Sequence, residues 1–262
     1  MRRTLSTAVV LLAAVVYAAD PPTPLKQAHA HNDYEHKRPL FDALDQGFCS
    51  VEADIFLKDG KLLVAHNASD LKPDRTLEAL YLDPLRARVK ANGGKVHPGS
   101  DVFWLLIDVK TEAKATCAAM HDTLARYADL FSVVRDGKFD RKAVTAVVSG
   151  NRDRDRLAAL PVRYAGLDGR PADLASDAPA HLVPWISDSW GTHFKWKGTG
   201  PMPDAEKAKL REMVAKAHKG GRLLRFWGTP DTPAVWAAER DAGVDLINTD
   251  KLPELRAFLL GK

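Results

Sequence analysis

The stretch SVEADIFLKDGKLLVAHN, residues 50–67, places two acidic side chains, Glu52 and Asp54, in an otherwise apolar segment that leads to a histidine, His66. The apolar residues favour a β-strand, in which alternate side chains share one face, so Glu52 and Asp54 point the same way. A buried carboxylate without a partner is costly, and two neighbouring ones require a cation. From these residues alone, that cation is either a basic side chain or a metal ion.

The rest of the chain alternates short apolar runs with longer helical patterns, which is typical of a parallel sheet with crossover helices. We therefore predict an α/β fold, a closed (β/α)8 or TIM barrel, with an extra hairpin after the second strand that turns at residues 58–60. The eight strand runs are QAHAH, FCSVEADIF, DVFWLLIDVK, KAVTAVVSG, VRYAGLDG, HLVPWISDS, RLLRFWG and DLINTD. The helix candidates are RPLFDALDQG, TEAKATCAAMHDTLARYADLF, PDAEKAKLREMVAKAHKGG and TPAVWAAERDAG.

The N-terminus has the three-part form of a secretory signal peptide: a basic pair, an apolar run, and small residues around Ala18 and Ala19. The apolar run is short for a membrane span of about 20 residues, which disfavours an anchor. We expect residues 1–19 to be removed and residues 20–262 to form a single barrel domain. The mature protein is then exported, to the periplasm or outside the cell, without a stable membrane span.

Charge, length and cysteine content indicate which partners and which bonds the protein has. The formal net charge is only +4, and the basic residues are scattered among acids without a basic run interleaved with aromatics, so we expect no nucleic-acid binding. The 262 residues suffice for one large core, and we expect a monomer. Cys49 and Cys117 fall in a predicted strand and a predicted helix, which favours two buried free thiols.

In this fold the chemistry lies at the C-terminal ends of the strands, where the loops that follow them converge. The polar residues of this chain occupy those ends, and the hairpin returns His66 to the same rim. The residues at the strand ends are His31, Glu52, Asp54, Asp108, Lys110 and Asp250. Three acids, Glu52, Asp54 and Asp108, and two histidines, His31 and His66, are thus predicted to meet.

At these residues the sequence resembles the superfamily of glycerophosphodiester phosphodiesterases and phosphatidylinositol-phospholipase-C-like phosphodiesterases, which includes the spider-venom phospholipase D toxins. Within it, the likeness is to exported bacterial members related to a yeast protein known as altered inheritance of mitochondria protein six. The motifs follow the family's order across roughly residues 25–260. They are the histidine of AHAHNDYEHKRPLFDAL, the Glu-x-Asp and second histidine of the opening stretch, LLIDVK, and GVDLINTDKL.

The resemblance implies that Glu52, Asp54 and Asp108 hold a divalent cation, Mg or Ca, with His31 as general base and His66 as general acid. Three carboxylates form the hard oxygen site that these cations prefer. The cation would draw charge from the phosphodiester oxygens, and one histidine would deprotonate the attacking oxygen while the other protonates the leaving alkoxide. Lys110 would add a fixed positive charge beside the phosphate.

Two positions depart from the glycerophosphodiesterase branch. Asn32 follows His31 where that branch has a phosphate-gripping arginine, so Asn32 is a candidate substrate contact and the grip must differ. Asp108 stands where that branch usually has Glu and the toxins have Asp. In the toxins the attacking group is often an internal hydroxyl of the substrate, which gives a cyclic phosphate.

Several residues keep alternative interpretations. His29 shares a strand face with His31 and is the alternative base. Trp190, in a predicted loop of residues 190–203, and Trp227 are either packing residues or the lining of a pocket for a lipid glycerol or inositol ring. Asp188 and Asp250 either support the site or cap helices.

Two classes of function follow. The first is a metal-dependent phosphodiesterase that hydrolyses glycerophosphodiesters or phospholipid head groups, or a phospholipase-D-like lyase that cyclises them. The second is a non-catalytic barrel that binds a phosphorylated ligand or a metal. The complete set of acid, base and metal ligands favours the enzyme, whereas the fold alone does not decide because such barrels host many chemistries.

Overall fold

Eight parallel strands with helices between them form a nearly closed barrel in the computed structural model, which describes residues 20–262. The strands are β1 (Leu25–Ala30), β2 (Phe48–Lys58), β3 (Lys61–Val64), β4 (Trp104–Val109), β5 (Val133–Arg135), β6 (Lys138–Asp140), β7 (Thr145–Gly150), β8 (Val162–Arg163), β9 (Ala165–Gly169), β10 (Trp185–Ser189), β11 (Leu223–Trp227) and β12 (Ile247–Thr249). Along the barrel the hydrogen-bonded order of the strands is β11-β10-β9-β7-β4-β2-β1-β12. Among the described residues, a single parallel bridge between Arg225 and Leu246 links the two ends of this order.

The eight predicted strand runs correspond one to one with the eight parallel strands, and the TIM-barrel prediction is confirmed. Strands of a parallel barrel are covered on both faces, so they read as nearly continuous apolar runs. Strand β2 is the clearest case, because its residues 48–56 are all buried. The acids within it therefore lie inside the protein and must find partners there.

The predicted hairpin after the second strand is also confirmed. Strand β3 pairs antiparallel with the end of β2, with Ile55 opposite Val64 and Lys58 opposite Lys61. The two turn residues, Asp59 and Gly60, have φ angles of 49° and 75°, as a tight two-residue hairpin turn requires. The turn sends the chain back toward the C-terminal rim of the barrel, where His66 follows β3.

The helices fill the connections between the strands. The four predicted helices correspond to Phe41–Asp45, Ala113–Ala125, Asp204–Lys219 and Pro233–Ala242. The last of these is capped at its start by Thr232, whose side chain accepts a hydrogen bond from the Val235 amide, and at its end by Gly243, whose φ of 88° suits glycine. The helices are α1 (Phe41–Asp45), α2 (Asp83–Ala91), α3 (Ala113–Ala125), α4 (Arg154–Ala159), α5 (Trp190–His193), α6 (Asp204–Lys219), α7 (Pro233–Ala242) and α8 (Leu252–Leu259).

A small three-stranded sheet, in the order β6-β5-β8, was not predicted. Its strands have only two or three residues, which is too short for a periodic pattern to appear in the sequence. The sheet lies at the N-terminal end of the barrel strands, because β5 and β6 precede β7 and β8 directly precedes β9.

Three further expectations concern the whole chain. Cys49 and Cys117 are buried and are not joined to each other, as expected. None of the described helices is long and apolar enough to cross a membrane. The predicted signal peptide, residues 1–19, lies outside the described residues, so its removal and the export of the protein stay predictions.

Candidate active site

Three carboxylates meet at the C-terminal rim of the barrel. Glu52 and Asp54 project from β2, and Asp108 lies directly opposite Asp54 in the neighbouring strand β4. One oxygen from each carboxylate lies within 4.8 Å of the others. The strand alternation that put Glu52 and Asp54 on one face, together with the pairing of β2 with β4, produces this cluster.

Glu52 has a basic partner that the sequence did not reveal. Its Oε2 accepts a hydrogen bond of 2.9 Å from Nη2 of Arg225, which projects into the barrel from β11 and also donates to Asn248. Burial raises the pKa of Glu52, but the charge of Arg225, the hydrogen bond from His29 and the charges of His31 and His29 together outweigh burial and hold that pKa well below its usual range. Glu52 is therefore an ionised ligand candidate held in place by Arg225.

Asp54 and Asp108 share the ammonium group of Lys110, whose Nζ lies 2.9 Å from Asp54 and 3.1 Å from Asp108. The single positive charge of Lys110 does not balance the negative charges of both carboxylates. Burial and the nearby charge of Glu52 raise the pKa of Asp54 to about 6, and burial likewise raises the pKa of Asp108. Among the described residues, the buried Oδ1 of Asp54 has no hydrogen-bond partner.

The Oδ1 atom of Asp54, which lacks a donor among the described residues, is evidence that a divalent cation fits this cluster. A buried carboxylate oxygen without a donor is costly, and a cation among three such groups removes that cost. Gly150 supports the same arrangement, because at its φ of 67° a Cβ would lie only 2.3 Å from Asp108 Oδ1. The residues therefore fit a hard cation held by Glu52, Asp54 and Asp108.

His31 lies at the end of β1 and is held by the last strand of the barrel. Its Nδ1 lies 2.8 Å from Oδ1 of Asp250, directly after β12. Burial lowers the pKa of His31, but the bond to Asp250 and the charge of Glu52 outweigh burial and raise it. A proton on Nδ1 that bonds Asp250 leaves Nε2 free to act as a base. Of the two interpretations of Asp250, the structure supports the one in which it orients the site, since Lys251 caps α8.

His29, the alternative base, lies deeper inside the barrel. It is fully buried, with Nδ1 2.7 Å from Ser50 Oγ and Nε2 3.5 Å from Glu52 Oε2. Burial, assisted by the charge of Arg225, lowers the pKa of His29 to about 3. A histidine that stays neutral and has no solvent contact packs beneath the site, so His29 is a poor candidate for the base.

His66 reaches the rim from the opposite side and is linked to the acids by Tyr34. The Tyr34 hydroxyl lies 2.7 Å from Asp54 Oδ2, 2.7 Å from Asn32 Oδ1 and 3.0 Å from His66 Nδ1. Burial and the charge of Asp54 raise the pKa of Tyr34, which keeps its hydroxyl protonated. Sequence reasoning missed Tyr34, although it lies in the first motif, two residues after Asn32.

The remaining rim candidates differ in their surroundings. Trp227 is half-buried at the end of β11, with the Arg170 guanidinium 5.0 Å from its ring centroid, so it keeps access to the rim. Trp190 does not. Its side chain is buried, its Nε1 donates to the Trp196 carbonyl, and its ring packs against Phe226. The assignment of Trp190 to substrate binding is therefore corrected: the side chain belongs to the core.

Asp188 also has a local role. Its Oδ2 lies 2.8 Å from Nε2 of His193, and its Oδ1 accepts from the Ser189 amide. These bonds fix the start of the segment of residues 190–203, which opens with α5 and continues without regular structure to α6. Asp188 thus supports this segment, and the cap of α5 is Ser189.

The sequence and the fold of this chain both match those of known phosphodiesterase domains. Residues 22–163 match the model of the AIM6-like phosphodiesterase domain, and residues 224–253 match that of the glycerophosphoryl diester phosphodiesterase family. Two solved glycerophosphodiester phosphodiesterases, from Agrobacterium tumefaciens and Parabacteroides distasonis, share the fold with a TM-score of 0.54 each. Their identities to this chain are 17% and 16%, over 90% and 91% of this chain and 100% and 98% of theirs. The barrel is thus that of the glycerophosphodiester phosphodiesterase superfamily.

Proteins of related sequence identify the family within this superfamily. Altered inheritance of mitochondria protein 6 from Eremothecium gossypii is 30% identical, over 89% of this chain and 69% of that protein. A homolog from Arthroderma benhamiae is 25% identical, over 88% of this chain and 82% of that protein. The chain belongs to the family of AIM6-like phosphodiesterase domains. The first matched segment contains both rim histidines and all three acids, and the second contains Arg225 and Asp250.

Proposed function

We propose that the protein is a metal-dependent phosphodiesterase that hydrolyses glycerophosphodiesters or phospholipid head groups. The observation that carries the proposal is the meeting of three carboxylates between two histidines; one carboxylate has a buried oxygen that lacks a donor among the described residues. Each histidine uses Nδ1 for a protein contact, so the Nε2 atoms remain for proton transfer. A merely structural ion pair would not need two such histidines beside it.

Glu52, Asp54 and Asp108 would hold a Mg or Ca ion, whose charge would stabilise the negative charge that develops on the phosphodiester oxygens. Lys110 lies between two of the ligands and would contact the same phosphate. The Oδ1 atom of Asn32 lies 2.7 Å from the Tyr34 hydroxyl, so the amide N–H groups of Asn32 point elsewhere, and we propose that they contact the substrate. Trp227 would flank the organic part of the substrate.

His31 would take the proton of the attacking oxygen, with Asp250 holding its ring and stabilising the resulting imidazolium. His66 would give a proton to the leaving alkoxide, whose conjugate acid is too weak for the alkoxide to leave unaided at neutral pH. If the attacking oxygen is a water, the product is a phosphomonoester; if it is a hydroxyl of the substrate, the product is a cyclic phosphate.

A panel of phosphodiesters, assayed with Mg or Ca and with EDTA, tests the proposal. Glycerophosphocholine, glycerophosphoinositol and lysophosphatidylcholine cover the expected head groups, and phosphorus NMR resolves linear from cyclic products. We expect turnover that EDTA abolishes and that added cation restores. A cyclic product identifies the lyase alternative, and metal binding without turnover of any substrate identifies the non-catalytic binder.

Replacing Asp250 by Asn tests the proposed base through its pH dependence. His31 must be neutral to act, and its raised pKa sets the acidic limb of the rate profile above that of an ordinary histidine. Loss of the Asp250 carboxylate removes a cause that raises this pKa, so the acidic limb is expected to move to lower pH. The maximal rate is expected to fall roughly 10-fold to 100-fold, as is typical when a partner that orients a histidine is lost.

The matched control is Asp101→Asn, which removes an exposed carboxylate paired with Lys95 far from the rim. It is expected to keep the wild-type profile. An unmoved acidic limb in Asp250→Asn would assign that limb to a group other than His31.

We also propose that the protein acts outside the cytoplasm. The support is the form of residues 1–19, which is that of a cleavable signal peptide. N-terminal sequencing of the extracytoplasmic fraction is expected to find a start near Asp20. Recovery of intact Met1 from the membrane fraction would replace export with anchoring.

A further inference from the structure

A cavity of about 260 Å³ lies at the opposite end of the barrel from the acidic cluster. It is lined by Trp104, Thr145, Ala165 and Leu223, which are the first residues of β4, β7, β9 and β11. The small sheet β6-β5-β8 forms part of its wall. The cavity therefore shares no residue with the proposed active site, which lies where the same strands end.

Arg163 is the charged residue of this wall that needs an explanation. Its side chain is buried, with only 5% of the residue exposed. The Nη2 atom of Arg163 lies 2.9 Å from Nδ1 of His181 and 3.3 Å from the His181 carbonyl oxygen. The buried Nε of Arg163 has no hydrogen-bond partner among the described residues. A buried guanidinium normally has a carboxylate beside it, because an uncompensated charge is costly.

No carboxylate fills that role in the cavity. Among the residues that the structure describes, no Asp or Glu lines it, and a second guanidinium, that of Arg141, lies near its exposed edge. Burial and the charge of Arg163 lower the pKa of His181, so this histidine stays neutral and does not compensate the charge of Arg163. The cavity is thus positively charged and lacks an internal anion.

The remaining walls are apolar and aromatic. Trp104, Phe139 and Tyr164 line the cavity together with small residues such as Ala180 and Gly166. Phe139 is 40% exposed and is one of two large apolar side chains exposed in the described part of the chain. Walls of this kind bind a flat or short apolar group, with a few polar atoms that fix its orientation.

We propose that this cavity is a second binding site, specific for a small organic anion that joins a carboxylate to a flat apolar body. The carboxylate accepts a hydrogen bond from the guanidinium of Arg163, which lines the cavity, and the body packs against the aromatic walls. A hydrogen bond between a guanidinium and a carboxylate is stronger than one between neutral groups, so the charge is central to recognition. The proposal does not depend on the proposed phosphodiesterase activity.

The test is calorimetric titration of the full chain with 1-naphthoate and with its uncharged counterpart, 1-naphthalenemethanol. We expect the acid to bind about 10-fold to 100-fold more tightly than the alcohol, which is the range for a hydrogen bond to a charged group. Arg163→Met, which keeps an apolar side chain of similar length, is expected to remove this preference. Ala180→Phe, which fills the cavity, is expected to weaken binding of both molecules.

Lys110→Met is the matched control, because it removes a cation at the other end of the barrel and is expected to leave naphthoate binding unchanged. Equal affinity for the acid and the alcohol, or no binding of either at millimolar concentration, overturns the proposal. So does naphthoate binding that is lost in Lys110→Met and kept in Ala180→Phe. If Arg163→Met does not fold, the acid–alcohol comparison and Ala180→Phe still decide.

Discussion

Asp54→Asn is expected to lower metal-dependent turnover by about 1,000-fold or more, since a catalytic cation supplies several kcal/mol of transition-state stabilisation. Asp54 is the central proposed ligand of the cluster: its Oδ2 is bonded to Lys110 and Tyr34, and its Oδ1 is the buried oxygen without a donor among the described residues. An amide at this position presents a neutral oxygen and a nitrogen that repels a cation. The substitution therefore weakens the metal site directly.

The same substitution is expected to leave the protein folded. In the metal-free protein burial raises the pKa of Asp54 to about 6, above that of an exposed aspartate, so the ionised side chain destabilises the folded state at neutral pH. Asn removes that charge. The metal-free variant should thus unfold at a temperature no more than a few degrees from that of the wild type.

Thermal unfolding with and without cation separates the metal site from activity. A ligand that binds the folded state raises the unfolding temperature, so Mg or Ca should stabilise the wild type and not Asp54→Asn. The control is Asp204→Asn, at a fully exposed aspartate, which should respond to cation as the wild type does. An equal response of Asp54→Asn, with normal turnover, would rule out Asp54 as a ligand.

His31→Ala and His66→Ala are each expected to lose about 100-fold to 10,000-fold in rate, and the wild-type profile should be bell-shaped. The two losses should differ with the leaving group. A substrate that releases nitrophenolate needs little protonation of its leaving oxygen, so it should largely restore the rate of the variant without the acid. We expect restoration for His66→Ala and none for His31→Ala.

The control for this pair is His218→Ala, at a half-exposed histidine near the end of α6, remote from the rim. It should match the wild type on both substrates. Restoration of His31→Ala alone would reverse the two roles. Restoration of neither would mean that both histidines orient the phosphate or support the metal site.

Much of this site was predictable because it depends on strand periodicity and on the direction of the strands. Glu52 and Asp54 fall two residues apart in a strand, and barrel geometry brings Asp108 beside them. Arg225 was missed because its partner Glu52 is 173 residues away, and no local pattern reports such a pairing. The burial of Trp190 likewise depends on Phe226, in another strand, so the sequence left its role open.

Asp250 and the small sheet show two other limits. A lone aspartate after a strand is compatible with a helix cap or a site residue, and only the closure of β12 against β1 selects the second. The strands of the small sheet have only two or three residues, too few for a hydrophobic period to repeat, so Arg163 appeared in the sequence as part of one strand run. Its position beside a cavity is set by tertiary packing alone.

The contact between His31 and Asp250 spans 219 residues and joins the first strand of the barrel to the last. Long-range contacts of this kind carry a large loop-closure entropy and form late during folding. A chain that has assembled every strand but β12 would therefore have its acids in place and its proposed base, His31, without an orienting partner. The proposed activity would then be gained in the final step of folding, and the recovery of turnover after dilution from denaturant would report barrel closure rather than secondary-structure formation.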